Sequence, residues 1–285
     1  MADVEKRYIA SVSFGKDSLA MLLLILETGQ PLDEVVFFDT GMEFQAIYDI
    51  RDTVKVLLEE KQIQFTELTP PRPFLYDMLY REKTKRDGSI VCGDGWCGGP
   101  CRWGTYVKQR VLDKHTDGCH IYVGLAADEE KRLAKLEVHK SSPIADAGMG
   151  ESDCLQYCYD RGFFWEENGV RLYDILDRVS CWCCRNKNLK ELRNIYHRLP
   201  NYWDGLKQLQ ESIPMPMKGP WKSVYTRFRR WSLQGVWEHV FEELIAQDIV
   251  DESTLMLDST TIKVHQHGSG AKKEATKHWD AAGEV

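Results

Sequence analysis

Four short apolar runs constrain this chain most, because they alternate with stretches of helical period. They are "RYIASVS" (7–13), "EVVFFD" (34–39), "IQFTEL" (63–68) and "CHIYVGL" (119–125). Between them, residues 19–27 predict a helix ended by Gly29. Residues 43–60 repeat apolar side chains at Phe44, Ile47, Ile50, Val54, Leu57 and Leu58, and 103–114 reads as a third helix. Strands alternating with helices are the mark of βαβ units and a mostly parallel sheet. The runs also end alike. "SFGKDS" follows the first, "DTGMEF" closes the second and "GLAADEEKRL" the fourth. In open α/β sheets, ligands sit at the carboxyl ends of strands, so these polar ends are the candidate site.

"SFGKDS" alone admits two readings. Asp17 or Ser18 can cap the following helix. Alternatively, the free N–H groups and positive dipole end of that helix hold an anion. In the second reading Gly15 supplies a backbone conformation closed to other residues and lets the ligand approach. The G-x4-G-K-[ST] spacing of a Walker loop is absent.

The cysteines carry the second signal. Cys97 and Cys101 form a C-x3-C in "WCGGPCRWG", and Cys181 and Cys184 a C-x2-C in "SCWCCRNKN". Two distant pairs supply four thiolates, which suit tetrahedral zinc or an iron–sulfur cluster. Arg102 and Arg185 flank the pairs and are expected to lower thiolate pKa values. Cys92 or Cys183 would be a spare reactive thiol. Cys119, Cys154 and Cys158 read as free, partly buried thiols that pack as small apolar residues. His115, His120, His139 and His197 read as surface or packing residues. Residues 87–102, with five glycines and three cysteines, read as a long functional loop.

Taken in order, S-x-G-x-D-S, D-T-G-x-E-F and G-x-x-A-D-E resemble the PP-loop superfamily of adenine-nucleotide enzymes, and within it the phosphoadenosine phosphosulfate (PAPS) reductase family. The resemblance covers about residues 5–212. It implies a mostly parallel doubly wound α/β sheet of the adenine-nucleotide alpha-hydrolase type. It implies that Ser13, Gly15, Lys16, Asp17 and Ser18 hold a nucleotide phosphate, that Asp39, Thr40 and Glu43 line the crevice, and that Asp128 and Arg132 close it. Lys16, Asp17 and Asp128 would be the catalytic groups, and the nucleotide ATP, PAPS or its 3′-dephospho form. It favours iron–sulfur over zinc on Cys97, Cys101, Cys181 and Cys184. A thiol reductant or sulfur donor would be a further partner. The family's C-terminal E-C-G-x-H type segment is not found, so PAPS reduction has no obvious attacking thiol. Adenylation or sulfur transfer is the related chemistry.

A second resemblance begins after "ESIPMPMKGPW" (211–221), whose prolines and glycine mark a boundary. "GPWKSVYTRFRRWSLQGVWEHVFEEL" and "LMLDSTTIKVHQHGSGAKK" resemble the start of a DDE-type insertion-sequence transposase. Asp258 would be its first catalytic carboxylate. The expected division is therefore 1–213, nucleotide-binding, and 214–285, a truncated, small helical and partly disordered appendage. Helices are expected over 222–231 and 233–247 and a strand over 254–264. Five basic residues and no acidic one lie in 218–231, a candidate nucleic-acid contact. The chain of 285 residues has a formal charge of −7, which argues against non-specific nucleic-acid binding by the whole. No apolar run reaches the ~18 residues of a membrane span, and no secretory signal is seen at the amino end, so a cytoplasmic enzyme is expected. A DNA-binding protein derived from the transposase segment, or a non-enzymatic nucleotide or metal sensor, are the alternatives.

Overall fold

The structure, a computed structural model, describes residues 6–97, 101–213, 217, 231–236, 239 and 243. The chain falls into two compact units, Met1–Pro220 and Trp221–Val285.

In the first unit the strands are β1 (Tyr8–Val12), β2 (Glu34–Phe38), β3 (Gln64–Leu68), β4 (Glu82–Thr84), β5 (Ile90–Cys92), β6 (His120–Val123), β7 (Lys140–Ser141), β8 (Glu166–Glu167) and β9 (Val170–Arg171). The helices are α1 (Lys16–Thr28), α2 (Gln45–Glu60), α3 (Phe74–Leu79), α4 (Lys108–His115), α5 (Glu130–Leu133), α6 (Pro143–Asp146), α7 (Glu151–Tyr159), α8 (Leu172–Ile175), α9 (Leu189–Arg198) and α10 (Pro200–Ser212). A π-helical segment, Arg102–Val107, leads into α4.

Five strands form one parallel sheet in the order β3–β2–β1–β6–β7. Ile9 of β1 aligns with Glu34 on one side and Ile121 on the other. Successive side chains of a strand point to opposite faces, and both faces here are covered. Ala10, Val12, Val35, Phe37 and Tyr122 join the main core with α1 and α2. Ile9, Val36 and Phe38 pack on the other side against Leu112 of α4. Helices on both faces of a parallel sheet make the doubly wound class that the alternating pattern predicts. Strand order runs outward in opposite directions from β1 and β6. Their carboxyl ends are the topological switch point.

Several elements differ from the sequence expectations. Helix α1 starts at Lys16, not Leu19, because its first turn is the polar part of "SFGKDS", which apolar periodicity does not register. Residues 87–102 are not all loop. Strand β5 pairs antiparallel with β4, and Asp87 Oδ1 accepts the Ser89 N–H at 3.0 Å in the turn between them. Residues 189–212 form two helices, since Pro200 cannot continue α9 and instead opens α10. Of the expected elements beyond residue 217, only 231–236, 239 and 243 are described, with 231–233 helical. The expected strand at 254–264 and Asp258 lie outside the described residues.

Candidate functional site

The segment Ser13–Ser18 lies at the end of β1, between the ends of β2 and β6. Its backbone departs from the sequence expectation at one residue. Gly15 has φ −76° and ψ 166°, extended backbone open to any residue. The left-handed residue is Phe14, at φ 56°. A bulky side chain there costs on the order of 1–3 kcal/mol and persists only when its surroundings enforce it. They do. Phe14 is fully buried, its ring lies 5.1 Å from that of Phe37, and its carbonyl accepts the Trp165 Nε1–H at 2.7 Å. On the other side of Gly15, the Lys16 N–H donates to the Tyr173 hydroxyl at 2.9 Å. Trp165 and Tyr173 meet edge to face with ring centroids 4.9 Å apart. Gly15 is instead a matter of space. A β-carbon there would lie 3.5 Å from the Tyr173 hydroxyl and 3.7 Å from Ser13 Oγ.

Neither Asp17 nor Ser18 caps the end of α1. Ser18 Oγ accepts the Ser13 N–H at 3.1 Å and donates to the Gly15 carbonyl at 3.1 Å, which closes the turn on itself. The loop is also braced from β6. A β-carbon on Gly124 would fall 2.6 Å from Ser18 Cα and 2.7 Å from Ser18 N, so glycine is required for this approach.

Lys16 is buried, and its ammonium bridges Asp17 at 2.8 Å and Glu151 at 2.7 Å. Burial pulls its pKa down, but the hydrogen bonds and charges of the two carboxylates win and hold it above the ordinary value. Asp17 is pushed up, chiefly by burial and further by Glu151 and Glu129, against the pull of Lys16. Asp128 accepts the Glu151 N–H at 3.1 Å and so sits at the amino end of α7. Arg132 is exposed and pairs with Glu129. The structure therefore gathers Ser13, Gly15, Lys16, Asp17, Ser18 and Asp128 around one point and leaves Arg132 engaged outward.

The end of β2 forms the second wall. Asp39 Oδ1 accepts from Gly41 N and from the Tyr48 hydroxyl, both at 2.7 Å. Buried Thr40 donates to Glu43 Oε1 at 2.8 Å. The Cys181 thiol donates to the same oxygen at 3.7 Å, and Trp182 N donates to the Met42 carbonyl at 2.9 Å. The cysteine turn 181–184 is thus pinned to the wall of the crevice.

Within that turn Cys184 N donates to the Cys181 carbonyl at 3.1 Å. Cys97 and Cys101 both pack against the main core, as Cys181 does. The soft thiol donors suit zinc or an iron–sulfur cluster. Among the described residues, however, no three metal-ligating side chains converge on one point. The expected lowering of the thiol pKa values is not found at Cys181 or Cys183. Burial raises both, and Arg185 turns away to donate to the Met217 carbonyl at 2.8 Å. Cys183 is buried and Cys92 exposed. Cys154 and Cys158 are fully buried, as the sequence suggests. His115 has a packing role, since its Nε2 meets the buried Glu34 carboxylate at 2.8 Å.

Glu151, Tyr173 and Trp165 are not legible as site residues in the sequence. Each contacts the loop from a distant element and has no motif of its own. A separate cavity of about 830 Å³, lined by Lys6, Asp113, Cys119 and Lys140 among others, opens at the amino ends of β6 and β7. It is remote from this constellation.

A doubly wound sheet with a polar loop at its switch point places this unit among the α/β proteins whose ligands bind at the carboxyl ends of the strands. In agreement, residues 7–89 match the family described as the phosphoadenosine phosphosulfate reductase domain. Two uncharacterized proteins of Methanocaldococcus jannaschii are similar. One is 24% identical over 216 residues, covering 70% of this chain and 41% of the relative. The other is 25% identical over 231 residues, covering 76% and 52%. The chain thus spans about half the length of these curated relatives. Among solved structures, the U34-tRNA thiolase NcsA from Methanococcus maripaludis with its 4Fe–4S cluster is similar at 18% identity and a TM-score of 0.38, covering 76% of this chain and 78% of that one. The family match ends at residue 89 and says nothing of 218–285. No helix among the described residues is long and apolar enough to cross a membrane.

Proposed function

We propose that residues 1–213 form an adenine-nucleotide-binding enzyme unit that performs sulfur chemistry: sulfonucleotide reduction, or adenylation coupled to sulfur transfer. The observation that carries this reading is the Ser13–Ser18 loop at the switch point, inside the segment that matches the PAPS reductase domain. ATP or PAPS would be held with a phosphate on the loop amides, Ser13, Ser18 and Lys16. Asp39, Thr40 and Glu43 would face the rest of the nucleotide, and Asp17 and Asp128 would orient Lys16 and the amino end of α7. Arg132 would swing from Glu129 to the outer phosphates. Cys97, Cys101, Cys181 and Cys184 would hold an iron–sulfur cluster, or zinc, against the β2 wall. Such a group would supply a site for activating sulfur next to the nucleotide, with a thiol reductant or sulfur donor as co-substrate. Residues 214–285 would be an appended piece resembling a transposase start, with its basic stretch 218–231 as a nucleic-acid contact.

The test is calorimetric titration of the chain with ATP and PAPS, alongside iron, sulfide and zinc analysis of anaerobically prepared protein. The reading requires nucleotide binding that Asp17→Ala weakens. It also requires metal that Cys181→Ser and Cys184→Ser remove. Protein that binds neither nucleotide nor metal refutes it.

A further inference from the structure

Tyr173 lies on α8, far in sequence from the phosphate loop, and belongs to no motif. Its hydroxyl accepts the Lys16 N–H at 2.9 Å, so the oxygen is used as an acceptor. Its own proton has no acceptor among the described residues. Tyr173 is half-buried, and its hydroxyl keeps one donor capacity for a ligand in place of water. The same hydroxyl stands 3.5 Å from the empty β-position of Gly15, with Ser13 Oγ 3.7 Å from that position. Two hydroxyls, together with the Val179 carbonyl at 3.8 Å, therefore flank the gap that this glycine leaves. Tyr173 cannot drift away from it, because its ring is fixed edge to face on Trp165, which is itself hydrogen-bonded to Phe14.

We infer that the Tyr173 hydroxyl is a phosphate-binding group of the nucleotide site, accepting from Lys16 N while donating its own proton to a phosphoryl oxygen. The inference rests on the nucleotide reading above and adds a ligand-contacting residue to it. Burial strongly raises the Tyr173 pKa, so the phenol stays a donor across the working range. A phosphate bound here receives the Tyr173 proton on one side of Gly15, and Ser13 Oγ, which lies 3.1 Å from Ser18 Oγ, would turn its proton to it on the other. That combination favours a charged phosphoryl group over an uncharged ligand.

The experiment compares the full chain with Tyr173→Phe, which keeps the ring and removes the hydroxyl. ATP and adenosine are titrated into each by calorimetry. The expected result is ATP affinity reduced about tenfold or more, the size of one hydrogen bond to a charged group, with adenosine affinity unchanged. Equal ATP affinity in the two proteins overturns the inference. So does an equal loss for ATP and adenosine, which would mean that Tyr173 only supports the loop. Wild-type protein that fails to bind ATP overturns the nucleotide reading and this inference with it. If Tyr173→Phe does not fold, Gly15→Ala reads the same gap, and unchanged ATP affinity in that variant overturns the inference.

Discussion

Gly15→Ala separates two explanations of the glycine in the Ser13–Ser18 loop. If glycine were there for backbone freedom, alanine would strain the loop and destabilise the protein. The observed φ of −76° is open to alanine, and the new methyl would meet its nearest neighbours at 3.5, 3.7 and 3.8 Å, ordinary contact distances. Two small terms oppose each other. Losing glycine at the position before α1 costs about 0.5–1 kcal/mol. Restricting the unfolded chain returns about 0.4–1 kcal/mol. The net change is close to zero, and the melting temperature should move by less than about 2 °C for a chain of this size. The ligand fares differently. The methyl fills the gap between Ser13 Oγ and the Tyr173 hydroxyl and keeps a phosphoryl oxygen from hydrogen-bonding distance of both. Losing even one such bond costs about 1.5 kcal/mol or more, roughly tenfold in affinity. Thermal melts of the ligand-free protein and calorimetric titration with ATP read the two quantities separately. A fall of more than about 5 °C would restore the backbone explanation. An unchanged ATP affinity would show that no phosphoryl group enters the gap.

Gly124→Ala should behave in the opposite way. Its β-carbon would meet Ser18 Cα at 2.6 Å and the Asp17 carbonyl carbon at 2.9 Å, so backbone has to shift at about 1–3 kcal/mol; melting should fall by roughly 3–10 °C, and an unchanged melt would refute the close approach. The Arg161 guanidinium beside Glu27 holds that carboxyl down to about 2. Its folded value lies below the unfolded one of about 4.3, so the pair stabilises above pH ~4.3 and the contribution fades as pH falls through about 2. Both groups are partly exposed, so solvent screens the pair to less than about 1 kcal/mol. Urea unfolding of Glu27→Gln should show that deficit at pH 7 and converge on the wild type as pH falls from 4.5 toward 2; a deficit constant with pH would contradict this.

The local rules served the first half of the fold well. Strands β1, β2 and β3 and helix α2 lie within a residue or two of where periodicity puts them, because each carries its own apolar pattern. The hairpin β8–β9 was missed although Asn168 and Gly169 are a strong turn signal; two-residue strands give no period to read. At the site, the left-handed conformation that the anion-loop reading of "SFGKDS" gave to Gly15 falls on Phe14. Sequence reasoning assigns such a backbone to the residue that tolerates it most easily. Here tertiary contacts impose it on the residue whose ring is most needed in the core. Glu151 illustrates the other limit. Nothing in "GMGES" says that its carboxylate reaches Lys16, a partner 135 positions earlier.

The hydrogen bond from Trp165 to the Phe14 carbonyl spans 151 positions of chain. A segment that stopped short of Trp165 would keep every letter of the loop motif and the whole of the 7–89 family match. It would lose both aromatic groups that grip the loop. The brace on the loop is therefore complete only once the chain around 163–175 packs back onto the first strand. During synthesis it cannot form until that segment has left the ribosome, well after the motif itself.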